Sequence, residues 1–431
     1  MGAPVKKIVE VPVDALRMGD YVSRLDRPWI DSPFLFQGFA IANDEELSQL
    51  RGMCKSVFVE VSDQEVDEIL KRTVTPRASA PPPPANPHVT TLAVLDELSQ
   101  DLSARLNSVP IKDPVPLKTE LGAAKAVYVE ARSTVTRIFD RLRRGGGLDL
   151  QLMETAVDSM VDSIFRNRDA MSWLARMKTK DDYLYSHSLA VSVWTLAFGR
   201  HLGLDKETLR SVGMGGMVLD IGKMQIPTGL LRKPGKPDPA EWATLQGHVQ
   251  RGLEMLENDA KVNLCVKTMV RTHHERLDGT GYPNGLKGGE IPLVGRIAGI
   301  VDCYDAMTSD RFYAKGMSTY DAVRELKRLG KTSFQPELVE LFIQAVGVFP
   351  TGTLVELNTG EVAVVVEQNR FRRLRPKVMV VLDAAKKIRQ EFSLIDLQSY
   401  ARSNTEGNAE VWINQGLEPG AYGVDPMEFF L

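Results

Sequence analysis

Cysteine is scarce in this chain: its 431 residues contain three, Cys54, Cys265 and Cys303, far apart and odd in number. That excludes a disulfide framework and a thiolate metal site, and it fits a reducing cytoplasm. No apolar run reaches the ~18–20 residues needed to cross a bilayer, and Met1 to Pro12 lacks the apolar core of a signal peptide. The chain is therefore expected to be cytoplasmic, neither secreted nor membrane-embedded. A surplus of one charge is missing as well, since 53 basic residues face 56 acidic ones for a formal charge of -3. No basic field exists for a DNA or RNA backbone, so a phosphate substrate must be met by local cations.

What is present is the composition of a soluble globular protein, 43% hydrophobic and 25% charged, in a length that implies two or three domains. Residues 1–72 read as a small α/β unit. Val9, Val11 and Val13 alternate as a half-buried strand does, as do Val57, Val59 and Val61, and Asn43 or Asp44 can cap a short helix through Leu50. Sensing, docking, dimerisation and plain structural support all fit this unit, so a homodimer stays open. Residues 73–90, with Pro81 to Pro84, favour an extended spacer that cannot build a core, and His88 in it reads as solvated.

Residues 91–348 carry helical periodicity. Leu92, Leu95, Leu98, Leu102 and Leu106 form one stripe, and Ala131, Val135, Ile138, Phe139 and Leu142 form another. After a break at Gly145–Gly147, Asp149 caps a helix bearing Met153, Val157, Met160, Val161 and Ile164. Residues 349–431 are expected to form a small β appendage and tail, with a hairpin turn at Asn358-Thr-Gly360 and a strand over Val378–Leu382. The fold class is mainly α, flanked by a small α/β domain and a small β appendage.

Four of the six histidines form a set within the helical region, together with acidic residues and one lysine. They are His187 in Tyr-Ser-His-Ser, Asp220 and Lys223 in Leu-Asp-Ile-Gly-Lys, His248, and His273-His274 at the end of an apolar helical run. The string Asp278-Gly-Thr-Gly281-Tyr282-Pro283 follows, then Asp302-Cys-Tyr-Asp305 and Arg311. Adjacent helical residues point about 100° apart, so His273 and His274 can grip one ion from two sides.

In order and spacing these residues closely resemble the HD-GYP family of cyclic di-GMP phosphodiesterases, densely over residues 180–320. The segment before them is similar to a domain of unknown function that often precedes such modules. The resemblance implies a helical bundle holding two divalent metals, with imidazole and carboxylate donors suited to iron or manganese and zinc not excluded. It implies one metal on Asp220, His248, His273 and His274, and a second on His187, Asp220 and Asp302, with Asp220 as the bridge. Such a pair activates water to attack a phosphodiester. Lys223 lies three residues beyond Asp220, a spacing expected to put both on one face of an α-helix. By resemblance Lys223 and Asp220 are catalytic, Lys223 offsetting phosphate charge, while Gly281, Tyr282, Pro283, Asp305 and Arg311 border the substrate. Gly279 and Gly281 are expected at φ > 0. The Gly-Tyr-Pro loop is linked in the family to contacts with GGDEF-type cyclase domains.

Three positions depart from the family pattern. Leu219 stands where the namesake histidine is expected; leucine cannot ligate, so the first metal site is weakened. Tyr183 replaces an acidic residue of three-metal members, with Asp181 and Asp182 nearby, and a third metal is not expected. Ala314 occupies the place of a basic substrate contact, with Lys315 beside it. Two readings follow. One is a phosphodiesterase that linearises cyclic di-GMP to pGpG and onward to GMP; the other is a silent module that binds the dinucleotide or a cyclase partner as an adaptor. Retention of Asp220, Lys223, both adjacent histidines and Asp302 favours the enzyme. A phosphohydrolase for another nucleotide is disfavoured by the Gly-Tyr-Pro loop.

Overall fold

The computed structural model describes residues 6–26, 39–41, 44–62, 98, 102–105, 113–176, 183–257, 262–310, 315–369, 372–399 and 410–429. Most of the stripe from Leu92 to Leu106 lies outside these residues, although Leu98 and Leu102 are buried. The chain divides into two compact units, residues 1–89 with 355–414, and residues 90–354 with 415–431. Among the described residues no helix is long and apolar enough to cross a membrane.

In the first unit the valine alternation becomes a ladder. Strand β1 (Lys6–Pro12) lies antiparallel to β4 (Ser56–Ser62), placing Val9 opposite Val59 and Val11 opposite Val57. With β2 (Tyr21–Leu25) and β3 (Phe39–Ala40) the sheet order is β1-β4-β2-β3. Helix α1 (Asp44–Met53) opens with Asp44, Glu45 and Glu46, the charge its N-terminal dipole favours, and adds Leu47 and Leu50 to the core.

A second sheet runs β8-β7-β6-β5-β9, from β5 (Leu354–Leu357), β6 (Val362–Glu367), β7 (Lys377–Leu382), β8 (Ile388–Asp396) and β9 (Ile413–Gly416). The turn after β5 is the expected hairpin. Leu357 N donates to Glu361 O at 2.9 Å, and Gly360 takes φ +81°.

The second unit is helical. Helices α2 (Leu117–Arg143) and α3 (Leu150–Arg166) pack together, joined by the glycine break, and Asp149 caps α3 by accepting from Leu152 N at 3.1 Å. Then come α4 (Arg168–Ala175), α5 (Tyr183–His201), α6 (Lys206–Val218), α7 (Pro239–Gln246), α8 (His248–Glu257), α9 (Leu264–Thr272) and α10 (Leu293–Thr308). Helices α11 (Thr319–Leu329) and α12 (Pro336–Val346) complete the unit. Helix α5 is buried from Ser186 to Arg200, its polar side chains included, and packs against α6, α10 and α12. Helix α9 packs against α6, α8 and α10, so the elements carrying the singled-out histidines and aspartates meet in the centre of this unit.

Candidate metal centre

Helix α6 stops at the residue before Leu219, and Asp220 leaves helical geometry at φ -101°, ψ 16° to begin a 3-10 turn over Ile221–Gln225. The common α-helix expected for Asp220 and Lys223 is therefore replaced by a tighter turn. The reach is kept, because residues three apart eclipse in 3-10 geometry, and Lys223 Nζ donates to Asp220 Oδ2. The turn needs Gly222: a Cβ there would overlap the His248 carbonyl and Gly252 N of α8.

His187 lies between the carboxylates of α10. Its Nδ1 faces Asp305 Oδ2 at 2.7 Å, and its Nε2 faces Asp302 Oδ1 at 3.1 Å and Asp220 Oδ2 at 3.2 Å. Asp302 and Asp305, one turn apart on the same helix, thus take opposite sides of one imidazole. Asp305 is fully buried and also accepts from Trp194 Nε1 at 3.0 Å. The expectation that it borders substrate is corrected, since both its oxygens are committed to holding His187 and Trp194.

Three further imidazoles approach from the other side. His248 Nδ1 lies 2.7 Å from Leu245 O, and His273 Nδ1 lies 2.8 Å from Val270 O. A carbonyl only accepts, so each Nδ1 carries the ring proton and each Nε2 presents a lone pair. Those two Nε2 atoms are 3.3 Å apart and lie 3.3 and 3.8 Å from Asp220 Oδ1. Asp220 Oδ1 is buried and has no hydrogen-bond donor. Lone pairs aimed at one another beside an orphaned carboxylate oxygen, out of water, are costly without a cation between them. This donor set therefore fits a divalent ion.

The ligand-type atoms form two groups, each lying within 4.8 Å of one another: Asp220, His248, His273 and His274, and His187, Asp220 and Asp302. All six residues are brought together, and Asp220 belongs to both groups. Leu219, buried beside Asp220 in sequence, contributes to neither.

Burial works against the Asp220 carboxylate, but the Lys223 ammonium leads the interactions that outweigh it and hold its pKa well below the usual range. Burial likewise opposes ionisation of Asp302, and His187 reverses the balance, again downwards. Burial lowers the pKa of His248 and lowers that of His274 much further, so both stay neutral and able to ligate.

The loop after His274 is pinned by Glu275, whose buried carboxylate accepts from Asn284 N at 2.8 Å and Leu286 N at 3.0 Å. Gly279 takes φ +79°, as expected, but Gly281 does not need a positive φ. Gly281 is required by close approach instead, because a Cβ there would stand 2.5 Å from His274 O. Within the Gly-Tyr-Pro trio only Tyr282 lines the central cavity, its ring stacked on His274 at 4.5 Å and 28°. Pro283, joined to Tyr282 by a cis peptide, is exposed. Gly281 and Pro283 thus shape the loop rather than line the cavity. Arg311, Ala314, Asp181 and Asp182 lie outside the described residues; Lys315 is exposed.

The donor groups open into a cavity of about 710 Å³. Its wall includes five cations, Arg143, Lys223, Arg232, Lys233 and Lys236, against one carboxylate, Asp302, among the described residues. Of these only Lys223 was singled out by sequence. The basic run at 232–236 between Asp220 and His248 was the available signal; Arg143, far upstream, offered none. Trp242 and Tyr185 also line the wall.

A profile described as HD domain matches residues 167–338, one for a domain of unknown function matches 8–152, and one for a KOW domain associated with the HD domain matches 354–402. The chain is 34% identical over 389 residues to a cyclic di-GMP phosphodiesterase of Pseudomonas aeruginosa, covering 90% of this chain and 88% of that protein. The chain belongs to the HD-GYP family. It is also 30% identical over 227 residues to a 3'3'-cGAMP-specific phosphodiesterase of Vibrio cholerae, covering 52% of this chain and 44% of that protein. A solved HD-GYP-type protein from Bdellovibrio bacteriovorus aligns at 15% identity and TM-score 0.44 over 78% of this chain and 98% of that one. The KOW match gives the β appendage of this HD-GYP chain an identity that strand periodicity alone could not.

Because His248 and His274 are neutral when folded but titrate near 6.5 when unfolded, the unfolded chain binds more protons as pH falls and stability declines. The depressed carboxylates Asp220 and Asp302 act in the same sense at lower pH. Thermal unfolding of metal-free protein is expected to show a midpoint that drops progressively as pH falls below about 6.5. His274→Gln should flatten that profile, and an unchanged slope would contradict the assignment.

Proposed function

We propose that this chain is a metal-dependent phosphodiesterase that hydrolyses cyclic di-GMP to pGpG in bacterial second-messenger signalling. The observation that carries the reading is the pair of donor groups sharing Asp220 at the base of a cation-lined cavity. Relatives named as cyclic di-GMP and 3'3'-cGAMP phosphodiesterases support it, and the adaptor alternative is not favoured.

His187, Asp220 and Asp302 would hold one divalent ion, and Asp220, His248, His273 and His274 would hold the other. Nitrogen and oxygen donors without thiolate suit iron or manganese. When bound, such ions supply Lewis acidity to a phosphodiester and lower the pKa of water. The chain itself fixes everything around them. Asp305 holds the Nδ1 side of His187, so that Nε2 is turned towards Asp220 and Asp302. The Leu245 and Val270 carbonyls do the same for His248 and His273. Lys223 lines the cavity and places a positive charge where a non-bridging phosphate oxygen carries its charge. A cyclic dinucleotide carries two phosphodiesters, and Arg143, Arg232 and Lys236 on the same cavity wall match the second.

With iron or manganese added, purified protein should convert cyclic di-GMP to pGpG, and Asp220→Ala should abolish both turnover and metal retention. Wild-type turnover by Asp220→Ala protein would refute the shared-carboxylate reading. Leu219→His adds an imidazole next to Asp220 and should raise bound metal per chain, as measured by elemental analysis; an unchanged ratio would place position 219 outside the donor set. Asp305→Asn sets an amide N–H against the N–H of either His187 or Trp194. That change is expected to cost ~10–100-fold in metal affinity or turnover, and full retention of both would rule out the orienting role.

A further inference from the structure

Trp242 sits on α7, a helix none of whose residues is buried, and is itself 47% exposed. Packing therefore does not account for an indole there. The helix is nevertheless held firmly. Asp238 accepts from Ala240 N and Glu241 N at 2.9 Å, and Glu241 returns a bond to Asp238 N at 2.9 Å. Lys233 Nζ then donates to both Glu241 oxygens at 2.6 Å.

What this fixed turn of chain presents to the cavity is an indole. Trp242 stands 6.2 Å from Tyr282 at an interplanar angle of 79°, and Tyr282 stacks on His274. The three rings run in series from the donor groups to the exposed wall of the cavity. Tyr282 cannot serve as a charge carrier, since burial raises the pKa of its phenol and keeps it neutral. A diester anchored at the donor groups by one phosphate must place its flanking bases along the walls, and a purine offers a π-face that an indole can stack.

We infer that Trp242 is the stacking platform for one purine of the bound cyclic dinucleotide, with Tyr282 closing the inner edge. This rests on the function proposed above. Stacking reads the face of a base and not its hydrogen-bonding edge, so Trp242 holds guanine and adenine alike. It contributes affinity for purine cyclic dinucleotides as a class, and choice between cyclic di-GMP and 3'3'-cGAMP is made elsewhere.

The test compares wild type, Trp242→Ala and Trp242→Phe on cyclic di-GMP, on 3'3'-cGAMP, and on bis(p-nitrophenyl) phosphate, a diester without a purine. Trp242→Ala should raise KM for the cyclic dinucleotides turned over by about 10- to 100-fold, the loss of one base stack. Its kcat, its metal content and its turnover of the small diester should stay unchanged, and Trp242→Phe should recover most of the affinity. An unaltered KM, or a parallel loss on both kinds of diester, overturns the inference while the phosphodiesterase reading stands. Wild-type protein that cleaves the small diester and neither cyclic dinucleotide overturns the parent reading, and this inference with it.

Discussion

The second unit is arranged around one buried carboxylate, Asp220, held between an ammonium and imidazole lone pairs. An anion taken out of water is costly unless compensated, and only part of the compensation comes from the chain. Lys223 covers Oδ2, while Oδ1 is left without a donor among nitrogens that have none to give. Local backbone geometry follows from this requirement. Helix α6 ends where it does so that the carboxylate can point inward, and the 3-10 turn brings Lys223 back over it. Gly222 lets that turn press against α8, the helix that begins with His248.

Around this centre the protein spends hydrogen bonds on orientation. Each of three imidazoles has its Nδ1 tied to a fixed acceptor, so the opposite nitrogen is aimed before any ligand arrives. Glu275 holds the following loop by two backbone amides, and that loop carries Tyr282 onto His274. Preorganisation of this kind removes the cost of arranging donors at the moment of binding. It also explains the charge pattern. A chain with a formal charge of -3 concentrates cations on one cavity wall, so attraction for an anionic diester is local rather than a property of the whole surface.

Much of the fold was legible because it rests on local periodicity. The valine alternation at residues 9–11 and 57–61 became the paired strands β1 and β4, with Val13 falling past the end of β1 in a 3-10 turn, and Asp149 caps the helix it was expected to cap. Within the centre, residue identity and spacing singled out the six ligand-type side chains that converge. Less legible were features that depend on which segments meet. Spacing placed Asp220 and Lys223 on one α-helix, and a close backbone approach makes it a 3-10 turn instead. Spacing gave Gly281 a positive φ, and it is the nearness of the His274 carbonyl that requires glycine.

The sequence by itself determined the chemistry: hard and borderline donors without thiolates, one lysine beside the bridging carboxylate, a glycine-rich loop after paired histidines, and a leucine where a ligand is expected. These are properties of residue type and order, which survive in any conformation. Tertiary structure alone decided the roles that depend on direction. It turned Asp305 from the substrate towards His187, left Pro283 facing outward, and brought Arg143 and Trp242 to the same wall as His187. The physical reason is that hydrogen bonds and stacking act over a few ångströms in space, and separation along the chain does not encode which side chains end up within that reach.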